Sequence, residues 1–220
     1  MKPHVAPPLL SEIAYERILQ ALFDARVPMG ARVSQGWLVA LAGVPVGPVR
    51  DALKVLEADG LVKVHPRAGI ELIKPTTDLL RATIQFRLMI ERPAARSFAI
   101  GVDPATLDDL IARHAALSAE FATLPPDQNV FDRLTEVEEV FHPALVASLG
   151  NELVDASYRR LRLMTRINRV SAKAYPLAAC VSIAEHVEVL TACKRRDADA
   201  AEAAIGRHLT NALNRSLGMG

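Results

Sequence analysis

Apolar residues follow two regimes along the chain, and the change between them comes near residue 75. Before it, short periodic runs are punctuated by Gly and Pro. Ser11 is a good N-cap for a first helix that places Ile13, Ile18, Leu19 and Leu22 inward and stops before Pro28-Met29-Gly30. Ser34 to Ala42 has the length of one short helix, with Trp37, Leu38 and Leu41 to pack, and Gly43 supplies a tight turn. Beyond it Val49, Leu53, Leu56 and Leu61 recur at helical spacing, with Arg50, Asp51, Lys54 and Glu57 largely on the other face. Pro48 suits the first turn of that helix, where its missing N–H would have had no partner. Asp59-Gly60 ends the helix, and Leu61 to Ile73 reads as a hairpin turning through His65-Pro66-Arg67-Ala68-Gly69. Two short helices meeting at a glycine turn, then a hairpin, predict a winged helix-turn-helix over residues 1–75, preceded by a flexible Pro-rich arm at 1–8.

After Lys74-Pro75 the strand signals vanish. Thr77 can cap a helix over about 78–100, Asp103-Pro104 opens another to about 123, and Pro125-Pro126 breaks the chain before a third that ends near Gly150. Asn151 caps a fourth, Pro176 begins a fifth and Asp197 a sixth. Amphipathic helices joined by short turns make residues 76–220 an antiparallel bundle of six or seven helices, so the fold is mainly α.

The bundle's candidate chemistry lies in its histidines. His186 and His208 each lie 11 residues from Asp197, the apex of a helical hairpin, which puts both at the same height, about 16 Å from the turn. Glu138 stands one turn before His142 on the same helix face. Three imidazoles and a carboxylate inside a helical bundle suit a divalent transition metal: zinc, nickel, manganese or iron. Arg87 stands one turn before Glu91. It is suited either to a bidentate grip on a carboxylate ligand or to an ion pair with Glu91. His4 and His114 fit neither pattern and are expected to be solvated.

Charge adds little. The 220 residues carry 26 Lys and Arg against 25 Asp and Glu, and residues 1–75 have nine against seven, so any nucleic-acid contact must come from a local basic patch. Cys180 and Cys193 lie 13 residues apart on one expected helix, too far to bond, and are expected to be reduced and buried. No apolar run is long enough to span a membrane and the N-terminus has no cleavage signature, so a cytoplasmic protein is expected.

The run GPVRDALKVLEADGLVKVHPRAGI resembles the DNA-binding domain of GntR-type bacterial transcription regulators, over about residues 10–75. FRLMIERPAA, EEVFHPALVASLGN and AEHVEVLTACKRRDADAAEAAIGRHL resemble the all-helical FCD-type effector-binding domain of the FadR-like branch. The resemblance implies a homodimer that binds a double-stranded DNA operator and responds to a small carboxylate effector. It implies DNA contacts from Ser34, Pro45, Val46, Gly47, Arg50, Lys54, His65 and Arg67. It further implies a metal held by Glu138, His142, His186 and His208, with Glu138 where the family has Asp, and effector contacts from Arg87 and Asn151. The polar residues usual at the start of the recognition helix are replaced by Pro45, Val46 and Gly47, and Gly36 stands where Arg is frequent, so the operator of relatives does not transfer. Two alternatives accompany this reading: the same regulator without metal, gripping its effector through Arg87 and the histidines, and a metalloenzyme whose ion is held by three histidines and a carboxylate.

Overall fold

The computed structural model describes residues 7–123, 130–171 and 176–219; most of the Pro-rich arm, His4 and the Pro125-Pro126 break lie outside the described residues. Contacts divide the chain into two compact units. One takes Met1–Thr76 with Arg166–Ser171, the other Thr77–Thr165 with Ala172–Gly220. The sequence pattern alone gives no hint that Arg166–Ser171 go with the first unit, where the Arg166 guanidinium lies 3.9 Å from the centroid of the Phe23 ring.

The first unit is a winged helix-turn-helix. Helix α1 (Leu10–Phe23) buries Ala14, Ile18, Leu19, Ala21 and Leu22. It is capped otherwise than the sequence suggests. Ser11 lies inside its first turn, and Glu12 reaches back to accept the Leu9 N–H at 2.8 Å. Helix α2 (Gln35–Ala42) is capped by Ser34, whose Oγ accepts the Trp37 N–H at 3.1 Å, and ends at Gly43, whose φ of 62° is the left-handed conformation a tight turn requires. Helix α3 (Val46–Ala58) follows and turns Val49, Ala52, Leu53 and Leu56 into the core. The Tyr15 hydroxyl donates to Asp59 at 2.9 Å, tying α1 to the end of α3.

The wing carries one strand more than the expected hairpin. Strand β1 (Arg32–Val33) pairs antiparallel with β3 (Gly69–Leu72), which pairs in turn with β2 (Val62–His65), giving the order β1-β3-β2. The third strand explains Gly69. Its φ is +92°, and a Cβ there would come within 2.8 Å of the Val33 carbonyl oxygen.

The second unit is a bundle of six helices among the described residues: α4 (Thr77–Gly101), α5 (Pro104–Thr123), α6 (Val130–Ala147), α7 (Glu152–Ser171, whose residues from Arg166 on belong to the first unit), α8 (Pro176–Lys194) and α9 (Ala198–Ser216). Its apolar core includes Phe98, Leu110, Phe141, Leu145, Leu190 and Ile205. Both cysteines are free thiols, Cys193 buried and Cys180 only partly so. No helix among the described residues is long and apolar enough to cross a membrane.

Candidate functional site

Helical periodicity carries polar residues into the middle of the bundle core. On α4, Ile84, Arg87, Glu91, Ala94 and Phe98 succeed one another at three- and four-residue steps and all are buried. The same stripe that packs the helix therefore delivers a guanidinium and a carboxylate to the interior. His142 on α6, His186 on α8 and His208 on α9 arrive likewise, each at most 3% exposed.

These three imidazoles converge. One ring nitrogen from each lies within 4.8 Å of the others. Their hydrogen-bond partners assign the protons. His142 Nδ1 donates to Glu91 Oε2 at 2.7 Å, and His208 Nδ1 donates to Glu185 Oε2 at 2.8 Å. Burial and then the Arg87 guanidinium pull Glu91 in opposite directions. The cation wins, holding the carboxyl well below the usual range. Glu185 is also desolvated, yet His208, Arg215 and Asn211 bring it down to about 2. Both acids are ionised acceptors at neutral pH. Burial in turn pushes His142 below its ordinary value and His208 to about 4, so both rings are neutral there, with the proton on Nδ1 and a lone pair on Nε2.

That arrangement fits a metal. His142 Nε2 is buried and has no hydrogen-bond partner. His186 Nε2 and His208 Nε2 lie 3.2 Å apart. Two nitrogens bound to zinc at the usual bond length and a tetrahedral angle would be about 3.3 Å apart. Carboxylates behind ligating imidazoles are the usual way such rings are oriented.

Among the described residues, the converging group consists of the three histidines, without Glu138. The Glu138 carboxylate is buried one turn before His142, and Ser182 on α8 donates to its Oε1 at 3.4 Å. Arg87 is buried. Its Nε and Nη2 donate to Glu91 at 2.6 and 3.3 Å, so the i,i+4 pairing is the one observed, in the core rather than on the surface. Asn151 is exposed and acts as the cap of α7, its Oδ1 accepting the N–H groups of Leu153 and Val154.

His114 corrects the expectation that it is solvated. It is fully buried on α5, where Leu107, Leu110 and Leu117 define the inward stripe, and its Nε2 lies 3.2 Å from His186 Nδ1. That stripe was the signal available in the sequence. Also unforeseen were Glu185, which stands next to His186 in the chain but serves His208, and Tyr158, whose hydroxyl donates to Glu91 at 2.9 Å.

On the first unit, Pro45, Val46 and Gly47 open α3 and are exposed, and no atom lies within 4 Å of a Cβ built on Gly47. Arg50 is exposed beside Gln35, with Nε 3.5 Å from its Oε1, and Lys54 is exposed and paired with Asp51 at 2.8 Å. At the wing tip Arg67 is exposed with φ of 63°, while His65 is partly buried against Glu71 at 2.6 Å. Ser34 spends its hydroxyl oxygen on the α2 cap.

Residues 10–72 match the family model for bacterial regulatory proteins of the gntR family, and residues 82–211 match the FCD domain. The HTH-type transcriptional regulator BphR of Paraburkholderia xenovorans (strain LB400) is 23% identical over 207 residues, covering 93% of this chain and 84% of BphR. Among solved structures, McbR/YncC of E. coli has the same fold with a TM-score of 0.76 at 16% identity, over 96% of this chain and 99% of that one. A GntR transcriptional regulator from Rhodococcus sp. RHA1 gives 0.77 at 18% identity, over 96% and 98%.

Proposed function

The chain belongs to the FCD-domain transcription regulators with a gntR-family DNA-binding head, and from that premise we propose that its operator binding is governed by a divalent metal and a small carboxylate held in the bundle. Relatives that match along most of the chain are transcription regulators, which sets aside the metalloenzyme. The observation that carries the metal is the convergence of one nitrogen from each of three rings whose Nδ1 atoms all have partners of their own.

His142, His186 and His208 would hold the ion, with Glu138 close by on α6 as a further carboxylate. When bound, the metal supplies a Lewis acid of charge +2, of which the Glu138 carboxylate offsets only part, and a low-dielectric interior tolerates the remainder poorly without a further anion. An organic carboxylate supplies that anion, which is the reason to favour an acid as effector. The alternative without metal leaves the effector to Arg87 and the histidines. Glu91 already grips that guanidinium from within the same helix, and this speaks for the metal.

On the DNA side Arg50 and Lys54, exposed on α3, and Arg67 at the wing tip are the cations placed to meet the duplex, with Val46 and Gly47 allowing close approach of the helix start. The protein works in the cytoplasm as a homodimer whose two heads address two half-sites, and the effector shifts their placement.

Two measurements test this. Elemental analysis of protein purified without chelator should find about one transition metal per chain, lost in His142→Ala and His208→Ala. Binding of genomic fragments should be salt-sensitive, selective, altered by metal with a carboxylate, and weakened by Arg50→Ala. Metal that survives both histidine substitutions, or no preference for any fragment, would sink the proposal.

A further inference from the structure

The three converging imidazoles do not receive the same support. Glu91 stands behind His142 and Glu185 behind His208, both carboxylates, whereas His186 has a neutral ring behind it. His114 Nδ1 lies 2.7 Å from the Leu110 carbonyl, one turn back on α5. A carbonyl only accepts, so the proton of His114 sits on Nδ1, and its Nε2 is a bare acceptor. That acceptor is 3.2 Å from His186 Nδ1. On its other side, His186 Nε2 faces the lone pair of His208 Nε2, also at 3.2 Å. His186 therefore has an acceptor at each nitrogen and one proton to give. Given to His114, the proton leaves Nε2 open toward the other two rings. Given to His208, it fills the space a cation would need.

We infer that His114 is a positioning residue for the metal centre: it draws the His186 proton onto Nδ1 and so keeps Nε2 available as the third ligand. The inference rests on the metal reading above. Phe141 fixes the plane of the His186 ring by stacking on it with centroids 4.3 Å apart, and it meets His114 edge-on at 5.1 Å. Stacking cannot tell one ring nitrogen from the other, because it constrains the plane and not the proton. Only His114 breaks that symmetry on the α5 side. The leucine carbonyl and the two imidazoles thus form one line of dependence, in which a helix backbone group decides the tautomer of a ligand two hydrogen bonds away.

The test compares the full-length wild type with His114→Leu, which keeps a buried apolar side chain, and His114→Gln, whose amide oxygen can accept from His186. Competition with a chromophoric chelator should show zinc held about ten- to a hundred-fold more weakly by His114→Leu, with most of the loss recovered in His114→Gln. Imidazole nitrogen chemical shifts of metal-free protein labelled at histidine should show His186 populating the Nδ1–H form in wild type and passing to Nε2–H in His114→Leu. Unchanged zinc affinity in His114→Leu, or a His186 tautomer identical in both proteins, overturns the inference. If the wild type binds none of zinc, nickel, manganese or iron, the metal reading fails, and the tautomer comparison still decides whether His114 positions His186.

Discussion

Residues 7–76 bury only apolar side chains and keep Arg50, Lys54 and Arg67 on the surface, whereas the bundle buries Arg87, Glu91, Glu138 and four histidines. In the head, the side chains that pack are not the ones proposed to meet DNA, so surface positions such as Pro45, Val46 and Gly47 can depart from the family pattern while Val49, Leu53 and Leu56 still close the core. In the bundle the same residues serve both ends. Glu91 packs α4 into the core and orients His142. The bundle's stability and its chemistry should therefore respond together to a single change, and the head's should not.

The largest effect is expected at Glu91. Glu91→Leu leaves Arg87, the His142 Nδ1–H and the Tyr158 hydroxyl without their shared acceptor, and should cost about 3–5 kcal/mol in urea unfolding followed by circular dichroism. Adding Arg87→Met should return part of it. Trp37, the one tryptophan, lies in the head, so its fluorescence should report an unchanged transition there. A head transition that moves with the bundle's would show that the two units do not respond separately. Next, zinc at a hundred times its dissociation constant should raise the bundle's stability by about 2.7 kcal/mol, and a chelator should remove the gain. A gain of the same size in the His142→Ala and His208→Ala variants would place the ion elsewhere.

The head should show the converse. Arg50→Ala should weaken operator binding by about 1–3 kcal/mol and flatten its salt dependence while leaving the unfolding curve in place. The smallest effect concerns pH. Burial, followed by the Asp59 hydrogen bond, raises the Tyr15 hydroxyl above its ordinary value. A raised value means the folded head holds this proton more tightly than the unfolded chain. The stabilisation is therefore complete below about pH 10, the phenol's unfolded value, and is lost as pH climbs through the folded one. Tyr15→Phe should cost about 0.5–1.5 kcal/mol at pH 8 and lose its effect at strongly alkaline pH, read by Trp37 fluorescence. A constant difference across that range would show that the bond to Asp59 is not the cause.

Much of this was legible because the signals are local. Gly43 marks the turn before α3, and Pro104, Pro176 and Asp197 mark helix starts that need no knowledge of neighbours. The triad was legible for a related reason: equal distances of His186 and His208 from Asp197 put them level without any packing argument. Pairings across the chain were not. Strand β1 is only Arg32–Val33, and its partner lies in β3, so no periodicity announces it. Glu12 displaced Ser11 as the cap by reaching back one turn. Asn151, placed at the effector by resemblance, caps α7 through its Oδ1, as its position in the sequence suggested. His114 was misjudged because an isolated histidine reads as polar, although its spacing from Leu107, Leu110 and Leu117 puts it on the inward stripe.

Arg215 holds both oxygens of Glu185, at 2.8 and 2.9 Å, from the last turn of α9. The acid that aims His208 is itself tethered at a place where helices unravel first. Fraying or shortening of that turn, or a fusion that strains it, would slacken the imidazole two bonds further in without touching the core. A centre enclosed on every side by packed helices would then be open to tuning from the rim of the fold.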